Sequence, residues 1–136
     1  MIAATGPRLD ALIDAWNKAA ADWNLTALAA LYTPDALLFG GRAGHSVGGA
    51  AIHGYFESYA GVILSASLEL FDQQILNTGE TSLIAQGFGD FAFTLAGERR
   101  TRSRMRTTLL LDWRDGVTRI RLHHFSPPPE APPLGG

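Results

Sequence analysis

The sequence predicts an α+β domain in which helices come first and an antiparallel sheet follows. Apolar residues recur at helical spacing from Leu9 to about Ile63, and the period shortens towards two beyond residue 65. Turn signals at Ala96-Gly97 and Asp115-Gly116 then divide the second half into hairpins. With 136 residues and 46% apolar content the chain is sized for one domain with a sizeable core, and the lack of cysteine leaves no role for disulfides or thiolate metal sites. A formal charge of −2 gives no overall attraction to nucleic acid or an anionic membrane. Met1 to Pro7 shows neither a basic nor an apolar leader, and no stretch approaches the ~20 apolar residues of a membrane span. A cytoplasmic protein without nucleic-acid or membrane partners is expected.

Leu9, Leu12, Ile13, Trp16, Ala20 and Trp23 form the apolar stripe of a first helix, with Asp10, Asp14, Asn17 and Lys18 on its other side. Asn24 is placed to cap a second, shorter helix carrying Leu25, Leu28, Leu31 and Tyr32, which Pro34 stops. Residues 36–39 form a short strand leading into the glycine-rich 40–45. After Gly48-Gly49, the residues Ile52, Phe56, Tyr59 and Ile63 mark a third helix. Four strands follow over 65–76, 82–95, 99–113 and 117–125. The proline-rich 127–136 cannot continue a ladder and is expected to be an extended, mobile tail behind a single domain over 1–126.

Asp115-Gly116 signals a two-residue hairpin turn. Pairing Arg114 with Val117 propagates to Leu111 with Ile120, Leu109 with Leu122 and Thr107 with His124. One face then holds Leu109, Leu111, Trp113, Ile120, Leu122 and His124, and the other holds Arg106, Thr108, Asp112, Arg119, Arg121 and His123. A two-residue turn at Ala96-Gly97 sets Ile84 against Leu109, Gln86 against Thr107, Phe88 against Met105 and Asp90 against Ser103. The inward polar set is then Gln86, Asp90, Ser103, Thr107 and His124, walled by Phe88, Met105 and the helix aromatics Trp16, Tyr55 and Tyr59. Such groups cost about 1–3 kcal/mol each if buried without partners, so they either satisfy one another or meet a ligand in a cavity. The assignment turns on strand parity, because a slip of one residue inverts it.

Arg100, Arg102, Arg104 and Arg106 alternate along one strand and share a face with Arg119 and Arg121. The net charge and the lack of interleaved aromatics argue against a nucleic-acid footprint, so the row is expected to be a solvated or dimer-forming outer face. A bulge would turn Arg104 or Arg106 inward. The glycines at 40–44 lack the spacing of a phosphate-binding loop, His45 and His53 are expected at the surface, and His123 and His124 cannot chelate together because strand neighbours point oppositely. No metal or other cofactor is expected.

Trp16-Asn17 through Leu31-Tyr32-Thr33-Pro34-Asp35-Ala36, Gly48-Gly49-Ala50-Ala51-Ile52 with Phe56, and Asp112-Trp113-Arg114-Asp115-Gly116 leading to His123-His124-Phe125-Ser126 occur in an order that resembles the nuclear transport factor 2-like superfamily. The resemblance runs from about Leu9 to Ser126. It implies a cone-shaped fold, three helices packed on a curved, mainly antiparallel sheet, shared by SnoaL-like polyketide cyclases and ketosteroid isomerases. The last piece is most similar to the SgcJ/EcaC group and to the association domain of calcium/calmodulin-dependent kinase II. Where ketosteroid isomerases carry an aspartate base this chain has Phe39-Gly40-Gly41, and Trp16 stands where their oxyanion-hole tyrosine does, so steroid isomerisation by that mechanism is not expected.

One cone hosts many functions, and two are expected here. In the first, a dimer binds a small, partly apolar organic molecule, and any acid/base turnover runs through His124, with Asp90 or Gln86 orienting it, Thr107 hydrogen-bonding, and Trp16, Tyr55, Tyr59, Phe88, Ser103 and Met105 around the ligand. In the second, the domain is a non-catalytic association module built through its arginine-bearing outer face.

Overall fold

The computed structural model describes residues 6–135. Helix α1 (Pro7–Ala20) opens with proline, whose fixed φ suits a first turn, and buries Leu9, Leu12, Ile13, Trp16, Ala19 and Ala20. Asn24 caps α2 (Leu25–Ala29), its side chain accepting from the Ala27 N–H at 3.0 Å. Helix α3 (Gly49–Glu57) buries Ile52 and Phe56. The Trp23 indole N–H donates to the Phe56 carbonyl at 3.0 Å and so ties the end of α1 to the end of α3. Several boundaries differ from expectation. Tyr32 opens a strand instead of closing α2, and α3 stops at Glu57, which leaves Tyr59 in the following turn and Ile63 at the start of the next strand.

Strands β1 (Tyr32–Phe39), β2 (Ser46–Val47), β3 (Ile63–Gly79), β4 (Ser82–Leu95), β5 (Arg99–Asp112) and β6 (Arg119–Ser126) form one sheet in the order β2-β1-β6-β5-β4-β3. Only β1 and β6 run parallel. Pro34, which has no N–H to donate, lies where the β1–β6 register breaks between Tyr32 and Leu37. The helices cover one face of this sheet, giving the α+β cone. Leu9, Leu28, Ile52, Leu109, Leu111 and Ile120 are fully buried there, each contributing roughly 1.5–3 kcal/mol of transfer free energy. Residues 127–135 carry no helix or strand, and no described helix is long and apolar enough to cross a membrane.

Strand parity differs from the sequence reading in both hairpins. Leu95 pairs with Arg99, so the β4–β5 turn holds three residues, with Gly97 and Glu98 both at positive φ (81° and 61°). That shifts every β4–β5 pair by one: Gln86 faces Thr108, Phe88 faces Arg106 and Asp90 faces Arg104. In the second hairpin Asp112–Arg119 and Leu111–Ile120 pair as expected, but Leu110 then pairs with Leu122 and Arg121 is left as the extra residue of a β-bulge. Beyond it Thr108 pairs with His124 and Leu109 with His123. His123 therefore points into the core, whereas His124 is exposed on the outer face with Gln86 and Phe88. Arg104 and Arg106 stay on that outer face.

Candidate functional site

The helix-covered face encloses a cavity of about 340 Å³. Trp16 and Trp23 close one side, Tyr55, Phe56 and Tyr59 a second, and the inward residues of the sheet the third: Phe91 and Phe93 from β4, Thr101, Ser103 and Met105 from β5, Phe125 from β6. The sheet places these residues together because odd-numbered positions of β4 and β5 pair with one another, Phe91 with Ser103 and Phe93 with Thr101. The aromatic walls interlock edge to face, Trp16 on Phe91 at 5.9 Å and Trp23 on Tyr59 at 6.2 Å between ring centroids.

One rim of the cavity is polar. Tyr55 accepts a hydrogen bond from the Gly41 N–H at 2.9 Å, and burial pushes its phenol pKa up. Arg42 lies over the Tyr59 ring at 4.1 Å and donates to Ser58, so the 40–42 segment is fastened across these tyrosines. A side chain at Gly40 would collide with the Tyr55 hydroxyl and the Phe125 ring, which is why the close approach needs glycine.

Behind the aromatic wall runs a buried polar chain. The Trp16 indole N–H donates to the Tyr32 hydroxyl at 3.3 Å, and that hydroxyl lies 2.9 Å from His123 Nδ1. An indole N–H only donates, so Tyr32 accepts from Trp16 and its hydroxyl is shared with Nδ1 in a bond whose direction follows the His123 tautomer. Burial lowers the His123 pKa from 6.5 to about 3 and raises that of Tyr32, so both are neutral at physiological pH. Next along the same face, Gln73 Nε2 donates to the Phe88 carbonyl at 3.0 Å and reaches Thr107 Oγ1 at 3.4 Å. Among the described residues, His123 Nε2 and Gln73 Oε1 are buried without a hydrogen-bond partner.

Of the residues expected at the site, the cavity brings together Trp16, Tyr55, Tyr59, Ser103 and Met105. Thr107 is buried behind the wall, 3.4 Å from Gln73 Nε2, and borders an open groove on the other side of the sheet that Gln86, Phe88 and His124 also line. His124, Gln86, Phe88 and Asp90 lie on the opposite side of the sheet, displaced by the three-residue turn and the Arg121 bulge. Asp90 is engaged by arginines: Arg104 Nε donates to it at 2.9 Å, Arg104 Nη2 at 3.2 Å and Arg102 Nη2 at 3.4 Å, and these bonds hold its carboxyl below the ordinary range. Sequence reasoning missed Tyr32, Gln73, Phe91, Phe93, His123 and Phe125. One signal was present, since apolar residues at 120, 122 and 125 cannot share a face of a regular strand.

The sequence profile of the SnoaL-like domain family matches residues 9–130. Among solved structures, one from Xanthomonas campestris, provisionally assigned as a calcium/calmodulin dependent protein kinase II association domain, is 26% identical at a TM-score of 0.84, over 96% of this chain and 94% of that one. A nuclear transport factor 2-like superfamily protein from Salmonella enterica is 16% identical at a TM-score of 0.74, over 93% and 92% of the two chains. A structure from Novosphingobium aromaticivorans, provisionally assigned as a scytalone dehydratase, is 13% identical at a TM-score of 0.76, over 87% and 80%. The last two share the fold alone. Curated protein sequences give no match.

Proposed function

We propose that this chain, which belongs to the SnoaL-like domain family of the nuclear transport factor 2-like superfamily, binds a small, flat, mainly apolar organic molecule in its aromatic cavity. One observation carries the reading: a hollow of about 340 Å³ is lined by Trp16, Trp23, Phe91, Phe93 and Phe125 with aliphatic side chains between them, and by hydroxyls from Tyr55, Tyr59, Thr101 and Ser103 along part of its wall. Flat apolar surface is matched by the edges and faces of Trp16, Phe91, Phe93 and Phe125, and one polar substituent is matched by the hydroxyls. Binding is favoured over acid/base turnover because the inward imidazole, His123, is held neutral by burial and stands behind Phe125, 5.0 Å away between ring centroids.

Filling the hollow from its own wall tests this reading. Ser103 is half-buried at the cavity surface, and Ser103→Trp projects an indole into the space a ligand would occupy. With 2-naphthol as probe and the fluorescence of Trp16 and Trp23 as readout, the wild type is expected to bind saturably. A folded Ser103→Trp protein is expected to bind at least tenfold more weakly, about 1.4 kcal/mol, followed by probe-induced thermal stabilisation. Equal affinity in both proteins would remove the cavity as the binding site.

A further inference from the structure

We propose that residues 40–44 are a gate on the rim of the aromatic cavity, latched by Arg42 and lifted when that side chain lets go. The gate regulates the binding site proposed for the cavity and rests on that reading. Its two ends are fixed. Phe39 pairs with His124 in the ladder and stacks on His45 at 4.2 Å between ring centroids, and Ser46 pairs with Leu38. Between these ends residues 40–44 carry no helix or strand, and 41–44 are exposed. A segment with so little buried surface opens locally at low cost, so the groups that tie it down decide how often it opens.

Arg42 carries most of those ties. Its Nε donates to Ser58 Oγ at 3.2 Å, its Nη2 donates to the Ser58 carbonyl at 2.9 Å, and its guanidinium covers the Tyr59 ring. The backbone adds the Gly41 N–H bond to the Tyr55 hydroxyl. Tyr55 and Tyr59 both line the cavity, as does Gly41, so the latch and the cavity wall share the same groups. The fit is flat and close: a Cβ at Gly41 would stand 2.8 Å from the Tyr59 hydroxyl. Nothing passes between the segment and the two tyrosines unless the segment lifts. The other walls cannot give in this way. Trp16 and Phe91 are buried in the core, the Trp23 indole is tied to the Phe56 carbonyl, and the β4 and β5 residues are held in a continuous ladder. The rim therefore has one compliant side, and Arg42, which does not itself line the cavity, sets the rate at which that side opens.

The chain has no cysteine, so Ser103→Cys places a single thiol on the cavity wall, where its reaction reports access. Dithiodipyridine, a flat neutral aromatic disulfide, is the probe. The thiolate attacks one of its sulfurs, a protein–pyridyl disulfide forms, and the other half leaves as a thiopyridone whose absorbance gives the rate. Adding Arg42→Ala is expected to raise that rate at least fivefold with the urea midpoint unchanged. Arg42→Lys, which keeps the cation over Tyr59 but not both bonds to Ser58, is expected to fall between. Arg114→Ala, at an exposed arginine beside the Asp115-Gly116 turn, is the control and is expected to change nothing. In stopped flow with 2-naphthol, Arg42→Ala in the chain with Ser103 intact is expected to raise association and dissociation rates together at least threefold. The dissociation constant is expected to stay within twofold, because the arginine grips the rim and not the ligand. A modification rate that Arg42→Ala leaves unchanged overturns the gate. Faster modification with a matching loss of urea midpoint overturns it too, since general loosening then explains the rate. Failure of the wild type to bind naphthol saturably counts against the cavity as a binding site, while the thiol rates still decide whether the rim opens.

Discussion

Acidification from pH 6.5 to 4 is expected to cost the folded state roughly 3 kcal/mol through His123 alone. The imidazole is fully buried, its Nδ1 occupied by the Tyr32 hydroxyl, and burial lowers its pKa from 6.5 to about 3. Above pH 6.5 the imidazole is neutral in folded and unfolded chains alike, and the stability is fully present. As the pH falls below 6.5 the unfolded chain takes up a proton that the folded chain refuses, and stability declines by about 1.4 kcal/mol per unit until pH 3. Asp35, Asp90 and Asp115, whose pKa values are lowered by hydrogen bonds, add a loss of the same sign only as the pH falls below their ordinary value of 3.8. Urea melts at pH 7, 5.5 and 4.5 therefore isolate the histidine. His123→Leu is expected to be less stable at pH 7 by about 1–3 kcal/mol, because the buried Tyr32 hydroxyl loses this hydrogen-bond partner, and to show no slope above pH 4.5. Parallel slopes in the two proteins would mean that the imidazole reaches solvent.

The second large effect is expected at Gly87. A Cβ there would stand 2.5 Å from the Asp72 carbonyl oxygen and 2.7 Å from Gln73 Nε2. The first is backbone and cannot swing aside. The β3 strand bulges at this point, with Asp72 at φ 52°, so that Gln73 can reach across β4 to Thr107. Gly87→Ala is expected to cost about 2–4 kcal/mol by forcing the strands apart and leaving the buried Gln73 amide with fewer partners. Gly54→Ala supplies the contrast, since nothing lies within 4 Å of its Cβ position and helix α3 is expected to gain about 1 kcal/mol. Denaturant midpoints that move equally for both substitutions would contradict the clash.

The element order and the helix-built walls of the cavity were legible because they rest on long patterns: a helical stripe through Trp16, and aromatics at 55 and 59. The sheet face was not legible in the same way, because parity depends on single residues. At Ala96-Gly97 a two-residue turn was the stronger local signal, yet the alternation of Leu83, Ala85, Phe91, Phe93 and Leu95 favoured the odd positions of β4 for the core. Burying Leu83, Ala85 and Phe91, with Phe93 and Leu95 partly covered beside them, outweighs a turn preference, and Glu98 accepts a left-handed conformation to allow it. In β6 the decisive residue is Arg121, which no turn rule marks. Its guanidinium reaches Asp35 and Asp112, so it remains in solvent while the backbone takes up one extra position.

That extra residue bears on how this chain is matched to its relatives. A relative that keeps the His-His dipeptide but has an even strand beneath it presents the first imidazole to water and the second to the interior, the reverse of what is found here. Aligning the dipeptides letter by letter would then equate side chains that never meet the same surroundings. The safer correspondence runs through the direction in which each ring points, and a loss or gain of one amino acid upstream exchanges the two histidines without altering either.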